Sequence, residues 1–185
     1  MKICLHYRGE LKTNGSPKDK HAIRKVFHKQ LKQLWSQKPL VDMPNLLGPE
    51  IKGDYSLRRQ IGDFCFIPLI TDKMNVTADI KILLLRPQEP GGIISKGGDI
   101  DNRLKTLLDA LSKPPHLSAL PRTEKPQEDE IPYFYCLLED DNLITSLDIQ
   151  TEQLLETGLG RSDVDLTIII ETRISQMTYG NTMFV

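Results

Sequence analysis

Apolar and polar residues alternate along KICLHY, with Ile3, Leu5 and Tyr7 on one side, and this period of two predicts a short strand. Past a turn at TNGSP, Ile23, Val26, Phe27, Leu31, Leu34 and Trp35 recur at helical spacing, which predicts an amphipathic helix over 17–37. Ser16 as N-cap, Pro17 at the first helical position and Asp19 three residues past the cap mark its start. Pro39 stops it. Residues 38–62 hold Pro39, Pro44 and Pro49 and little periodicity, so they read as an irregular excursion. FCFIPLI (64–70), interrupted by Pro68, reads as a buried or edge strand, and VTADIKILLLR (76–86) is the strongest strand candidate of the chain.

The glycine-rich loop PQEPGGIISKGG leads into a second helix, 101–112, where Leu104, Leu107, Leu108 and Leu111 stand at i, i+3, i+4 and i+7. SKPP ends it. Residues 113–135 form a polar, proline-rich insertion whose TEKPQEDE portion is expected to be mobile. LITSLDIQT and DVDLTIIIETRI (163–174) supply the last two strands. The order β-α-β-β-α-β-β predicts an α+β fold: a mixed β-sheet with two main helices packed on one face, in a single domain over 1–185.

Composition fits such a domain, with 39% hydrophobic and 26% charged residues. No run of about eighteen apolar residues occurs. The charged start MKICLHYRGELK does not resemble a signal peptide, so a cytoplasmic protein without a membrane span is expected. Cys4, Cys65 and Cys136, three in number and far apart, suggest neither a disulfide framework nor a zinc site, and are expected to be buried thiols.

The net charge of −1 conceals an asymmetry: residues 1–40 hold ten Lys/Arg against two Asp/Glu, and residues 96–185 eight against sixteen. A basic half can follow a phosphate backbone while an acidic half collects cations. Lys18, Lys25, Lys29 and Lys32 fall largely on the polar faces of the first helix, and with Lys96 and Arg103 they are candidates for contact with DNA phosphates.

The candidate chemistry lies in GGDIDNRLKTLLDAL (97–111). One aspartate at a helix mouth needs no function, because it caps free amides and is favoured by the helix dipole. A second, one residue apart, adds a like charge that capping does not require. A third acidic group, Glu139-Asp140-Asp141, opens a later strand, and sequential elements are usually neighbours, so the two clusters are expected to meet. Carboxylates that converge take up protons or bind a cation, and a site of oxygens alone favours Mg²⁺, with Mn²⁺ able to substitute. This points to metal-assisted phosphodiester hydrolysis. Lys105 is either the middle of an Asp101-Lys105-Asp109 surface ladder or a cation held toward the scissile phosphate.

GGDIDNRLKTLLDAL followed by LEDDNLI resembles the RusA-like crossover-junction endodeoxyribonucleases, convincingly over 76–151. The resemblance implies Asp99, Asp101 and Asp141 as the metal-binding catalytic triad, Asp140 as neighbour and Lys105 as the functional lysine. It also implies a homodimer acting on four-way DNA junctions, in keeping with the two-fold symmetry of a junction that needs two cuts. Against that family, the chain has a longer stretch between helix and Asp-Asp pair and an extra segment at 38–62. The function expected is a Mg²⁺-dependent endonuclease selective for branched DNA. Its rivals are a catalytically silent branched-DNA-binding protein with the same fold, and a transferase using Asp-x-Asp to hold a metal-nucleotide. The transferase ranks low because no Walker-type loop is present.

Overall fold

A computed structural model describes residues 1–49, 56–89, 99–178 and 180–184 of the chain. The predicted alternation gives β1 (Lys2–Glu10), whose inward Ile3, Leu5 and Tyr7 are buried while the residues between them face outward. The predicted cap gives α1 (Pro17–Trp35): the Ser16 side chain accepts from the Asp19 amide and Asp19 reaches back to the Ser16 backbone. Ile23, Phe27, Leu31 and Trp35 bury the apolar face of α1, each worth about 1.5–3 kcal/mol. There follow β2 (Arg59–Ile61), β3 (Phe64–Ile70), β4 (Val76–Arg86), α2 (Asp99–Leu111), β5 (Phe134–Leu138), β6 (Ile144–Gln153) and β7 (Asp163–Ile174).

The fold is α+β, with the strands divided between two sheets. The larger has the order β1-β7-β4-β6, with β7 antiparallel to β1 and β4, and β4 parallel to β6. The smaller has the order β2-β3-β5, with β3 parallel to β5. The single mixed sheet expected from the sequence is therefore corrected. β5 is the reason: FYCLL is apolar throughout and buried on both faces, so it carries no alternation to announce a strand. Pro68 lies in the middle strand of the smaller sheet, so β3 is buried rather than an edge.

Two other expectations change. The 38–62 excursion contains two 3-10 turns, Leu40–Asp42 and Pro44–Leu47, together with β2; residues 50–55 lie outside the described residues, as do 90–98 of the glycine-rich loop. The TEKPQEDE segment is not loose. Lys25 pairs with Glu124 and lies 3.5 Å from Glu130. The Asp129 carbonyl accepts from Lys32 and stands 3.1 Å from His28 Nε2, and Glu130 is buried. Of the three cysteines Cys136 alone is buried, because Cys4 lies on the outward side of β1 and Cys65 is half-covered.

Helices α1 and α2 pack on each other. Gly15, just before the α1 cap, donates to Thr106 Oγ1 of α2 at 2.9 Å, and a Cβ there would sit 2.6 Å from Thr106 Cγ2. α2 lies on the inner face of the larger sheet, where Ile100, Leu104 and Leu107 share a narrow cleft with Ile82, Leu84 and Leu166. Among the described residues no helix is long and apolar enough to cross a membrane.

Candidate functional site

The C-terminal end of α2 is where separate elements converge. A helix leaves its last carbonyls without intrahelical partners, and here Arg24 of α1 takes two of them: Nε donates to the Ser112 carbonyl at 3.0 Å and Nη2 to the Asp109 carbonyl at 2.7 Å. A cation at this end also suits the helix dipole. Ser112 then bridges Leu138 at the end of β5, and the Lys113 amide donates to the Leu138 carbonyl at 2.9 Å. The chain leaving β5 is thereby held against α2, and Glu139, Asp140 and Asp141 follow at once.

Lys20, Asp109, Ser112, Lys113, Asp140 and Asp141 line a cavity of about 310 Å³, with Arg24 and Glu139 also in its wall. Asp140 and Asp141 are exposed, yet partial desolvation, then the charge and hydrogen bond of Asp140 and the charge of Asp109, raise the Asp141 carboxyl above its ordinary value. Asp140 caps the 3-10 turn Asp141–Leu143 by accepting from the Asn142 amide at 3.1 Å. Lys20 lies 2.7 Å from Asp109 Oδ2. Burial raises the Glu139 carboxyl, but hydrogen bonds from Arg59 and Thr71 outweigh it and hold the group below its ordinary range. Glu139 is thus committed to bracing β2 and β3.

The other end of α2 is different. Asp101 is exposed there, beside Ile100, which packs near Leu84 toward the far end of β4. Asp141 lies near the start of β4, where Ile144 pairs with Ala78. Asp101 and Asp109, eight residues apart, are separated by about 12 Å along the helix axis. The later acidic pair therefore stands with Asp109, not with Asp101. The Asp99 side chain and Lys96 lie outside the described residues. Lys105 is exposed between the two ends and makes no ion pair among the described residues, so of its two readings the Asp101-Lys105-Asp109 ladder does not form, and Asp109 pairs with Lys20. Among the described residues no three His, Cys, Asp or Glu side chains are grouped as metal ligands.

The basic candidates also divide. Lys18 and Lys29 are exposed, whereas Lys25 is taken by Glu124 and Glu130, and Lys32 by the Asp129 carbonyl. Arg103 is corrected from a phosphate contact to a brace: it is buried, and its guanidinium donates to the Leu11 and Arg161 carbonyls at 2.8 and 3.1 Å. Arg103 directly follows Asn102 in the motif and stands one turn before the buried Leu107, on a side of α2 that faces the protein.

Sequence reasoning missed Arg24, Lys20, Ser112 and Lys113. Arg24 had a legible signal, since His21, Arg24 and His28 recur at i, i+3 and i+7 along the stripe that includes Leu31 and Trp35, and all are buried. His21 stacks on Phe134 and meets Phe64 edge-on; burial first, then Arg24 and Lys25, lower its pKa to about 4. Compared with known proteins, the chain matches no family model, no curated protein and no solved structure.

Proposed function

We propose that the protein is a Mg²⁺-dependent endonuclease selective for branched DNA, four-way junctions among them, acting as a homodimer. The observation that carries the reading is the grouping of Asp140 and Asp141 with Asp109 around one cavity, where the Asp141 carboxyl is raised above its ordinary value. Like charges in that arrangement are relieved by a proton or a cation, and oxygen donors alone suit Mg²⁺ or Mn²⁺. Magnesium usually takes one or two carboxylates and fills its other positions with waters and substrate phosphates. Asp140 and Asp141 would hold it, with Asp109 alongside. The buried Ser112 hydroxyl, which has no hydrogen-bond partner, is a further hard oxygen in the same cavity wall. When bound, the ion supplies Lewis acidity and a more acidic water. Lys18 and Lys29 offer exposed charge to backbone phosphates, and a two-fold dimer supplies the two cuts that a junction needs. Asp99 and Asp101 belong to the proposal through the RusA-like motif, as the second acidic group.

One observation favours a catalytically silent branched-DNA-binding protein: Lys20 already gives Asp109 a cationic partner from within the chain. Labelled four-way junction, flap and linear duplex, incubated with and without Mg²⁺, separate the two. The nuclease reading expects Mg²⁺-dependent cleavage of the branched substrates, strongly reduced in Asp141→Asn with junction binding retained or tightened. Junction gel shifts without nicking under any divalent ion would select the silent protein.

A further inference from the structure

We infer that the cavity at the C-terminal end of α2 takes a phosphate group, with Lys113 and the Ser112 hydroxyl as its direct partners and Arg24 in the same wall. The identity of that phosphate as a DNA phosphodiester rests on the nuclease reading; the phosphate chemistry does not.

Three observations outside the acidic pair point to an anion. Ser112 is 7% exposed and lines the cavity, and its Oγ has no partner; a buried hydroxyl left unmade is costly and calls for an acceptor or donor from elsewhere. Arg24 is 2% exposed in the same wall, and the hydrogen-bond partners of its guanidinium are neutral, the Ser112 and Asp109 carbonyls and the His21 ring, with no ion pair to a carboxylate among the described residues. Burial lowers its pKa to about 10, against the raising charges of Cys136 and Asp109. Lys113 has its backbone fixed by the Leu138 carbonyl, while its ammonium makes no ion pair among the described residues.

A phosphate oxygen satisfies these groups together: it accepts from the Ser112 hydroxyl and the Lys113 ammonium and lies in the field of Arg24. Asp109, Glu139, Asp140 and Asp141 in the same wall repel it unless a divalent cation stands between. Phosphate binding is therefore expected to depend on Mg²⁺, which sets this cavity apart from a general anion site. Lys105, assigned to the phosphate by the sequence motif, has no part in it.

The test titrates inorganic phosphate into the full chain with and without Mg²⁺, following backbone amides by NMR, in wild type, Lys113→Gln, Lys113→Arg, Ser112→Ala and Lys105→Ala. Saturable shifts are expected at Ser112, Lys113 and Asp141, at least tenfold tighter with Mg²⁺. Lys113→Gln should weaken binding about tenfold, the scale of a lost charge-assisted hydrogen bond, with Lys113→Arg restoring most of it and Lys105→Ala leaving it unchanged. Ser112→Ala should melt no lower than wild type while binding phosphate several-fold more weakly, a pairing that a packing role for the hydroxyl does not give. Absence of saturable shifts at these amides in either condition, or equal affinity in Lys113→Gln, overturns the inference. The same proteins are assayed on labelled junctions: phosphate binding without cleavage keeps the subsite and removes the nuclease reading, and cleavage with wild-type KM in Lys113→Gln does the reverse.

Discussion

The two ends of α2 carry similar residue types in different company. At the N-terminal end Asp101 and Lys105 stand exposed on one helix, each free to be solvated. At the C-terminal end Asp109, Ser112 and Lys113 meet Lys20 and Arg24 from α1 and Asp140 and Asp141 from the turn after β5, around a common cavity. Asp140 and Asp141 are exposed like Asp101, so what sets the C-terminal end apart is that separate elements bring several charges together there. Asp141, among those neighbours, has its carboxyl raised.

Single substitutions at each end of α2 separate their roles. Asp141→Asn should lower Mg²⁺-dependent junction cleavage about 10²–10³-fold, since the Lewis-acid contribution at stake is several kcal/mol. Equal loss in Asp141→Asn and Asp101→Asn would show that the ends act as one site.

Acid should dismantle the C-terminal end. His21 lies beside Arg24 with its pKa lowered to about 4 from 6.5. The unfolded chain therefore binds a proton first as the pH falls, so stability present above pH 6.5 is lost progressively toward pH 4, by about 3 kcal/mol. Urea unfolding measured across that range checks this, and His21→Leu should flatten the profile.

Arg24→Met should cost about 2 kcal/mol in the same unfolding assay, because the Asp109 and Ser112 carbonyls lose their donor. The smallest effect sharpens the division among the α1 lysines: Lys29→Ala should reduce the salt dependence of junction binding by about one counterion, while Lys25→Ala, already ion-paired, leaves the slope unchanged and lowers stability instead.

Much of the architecture was legible. Period-two alternation located β1, and the cap at Ser16 and the leucine spacing located α1 and α2, because those signals are local. β5 was not legible, since a strand buried on both faces has no polar phase, and its pairing with β3 divides the sheet. The Glu139-Asp140-Asp141 cluster was visible as chemistry, but its neighbour was not: sequence proximity favoured the helix mouth, whereas the bridge between Ser112 and Leu138 brings the helix's other end to it. Arg103 and Arg24 show the same limit, because a charged residue turned inward toward carbonyls reads in sequence like one turned toward solvent.

The most direct measurement is an NMR titration of the aspartate side-chain carboxyls in the intact protein, with and without Mg²⁺. Asp141 is expected to titrate above the ordinary carboxylate value in the absence of the ion and to move down when Mg²⁺ saturates, with Asp140 responding alongside and Asp101 unmoved. An Asp141 titration indifferent to millimolar Mg²⁺, or a response confined to Asp101, would contradict a metal site at the C-terminal end of α2.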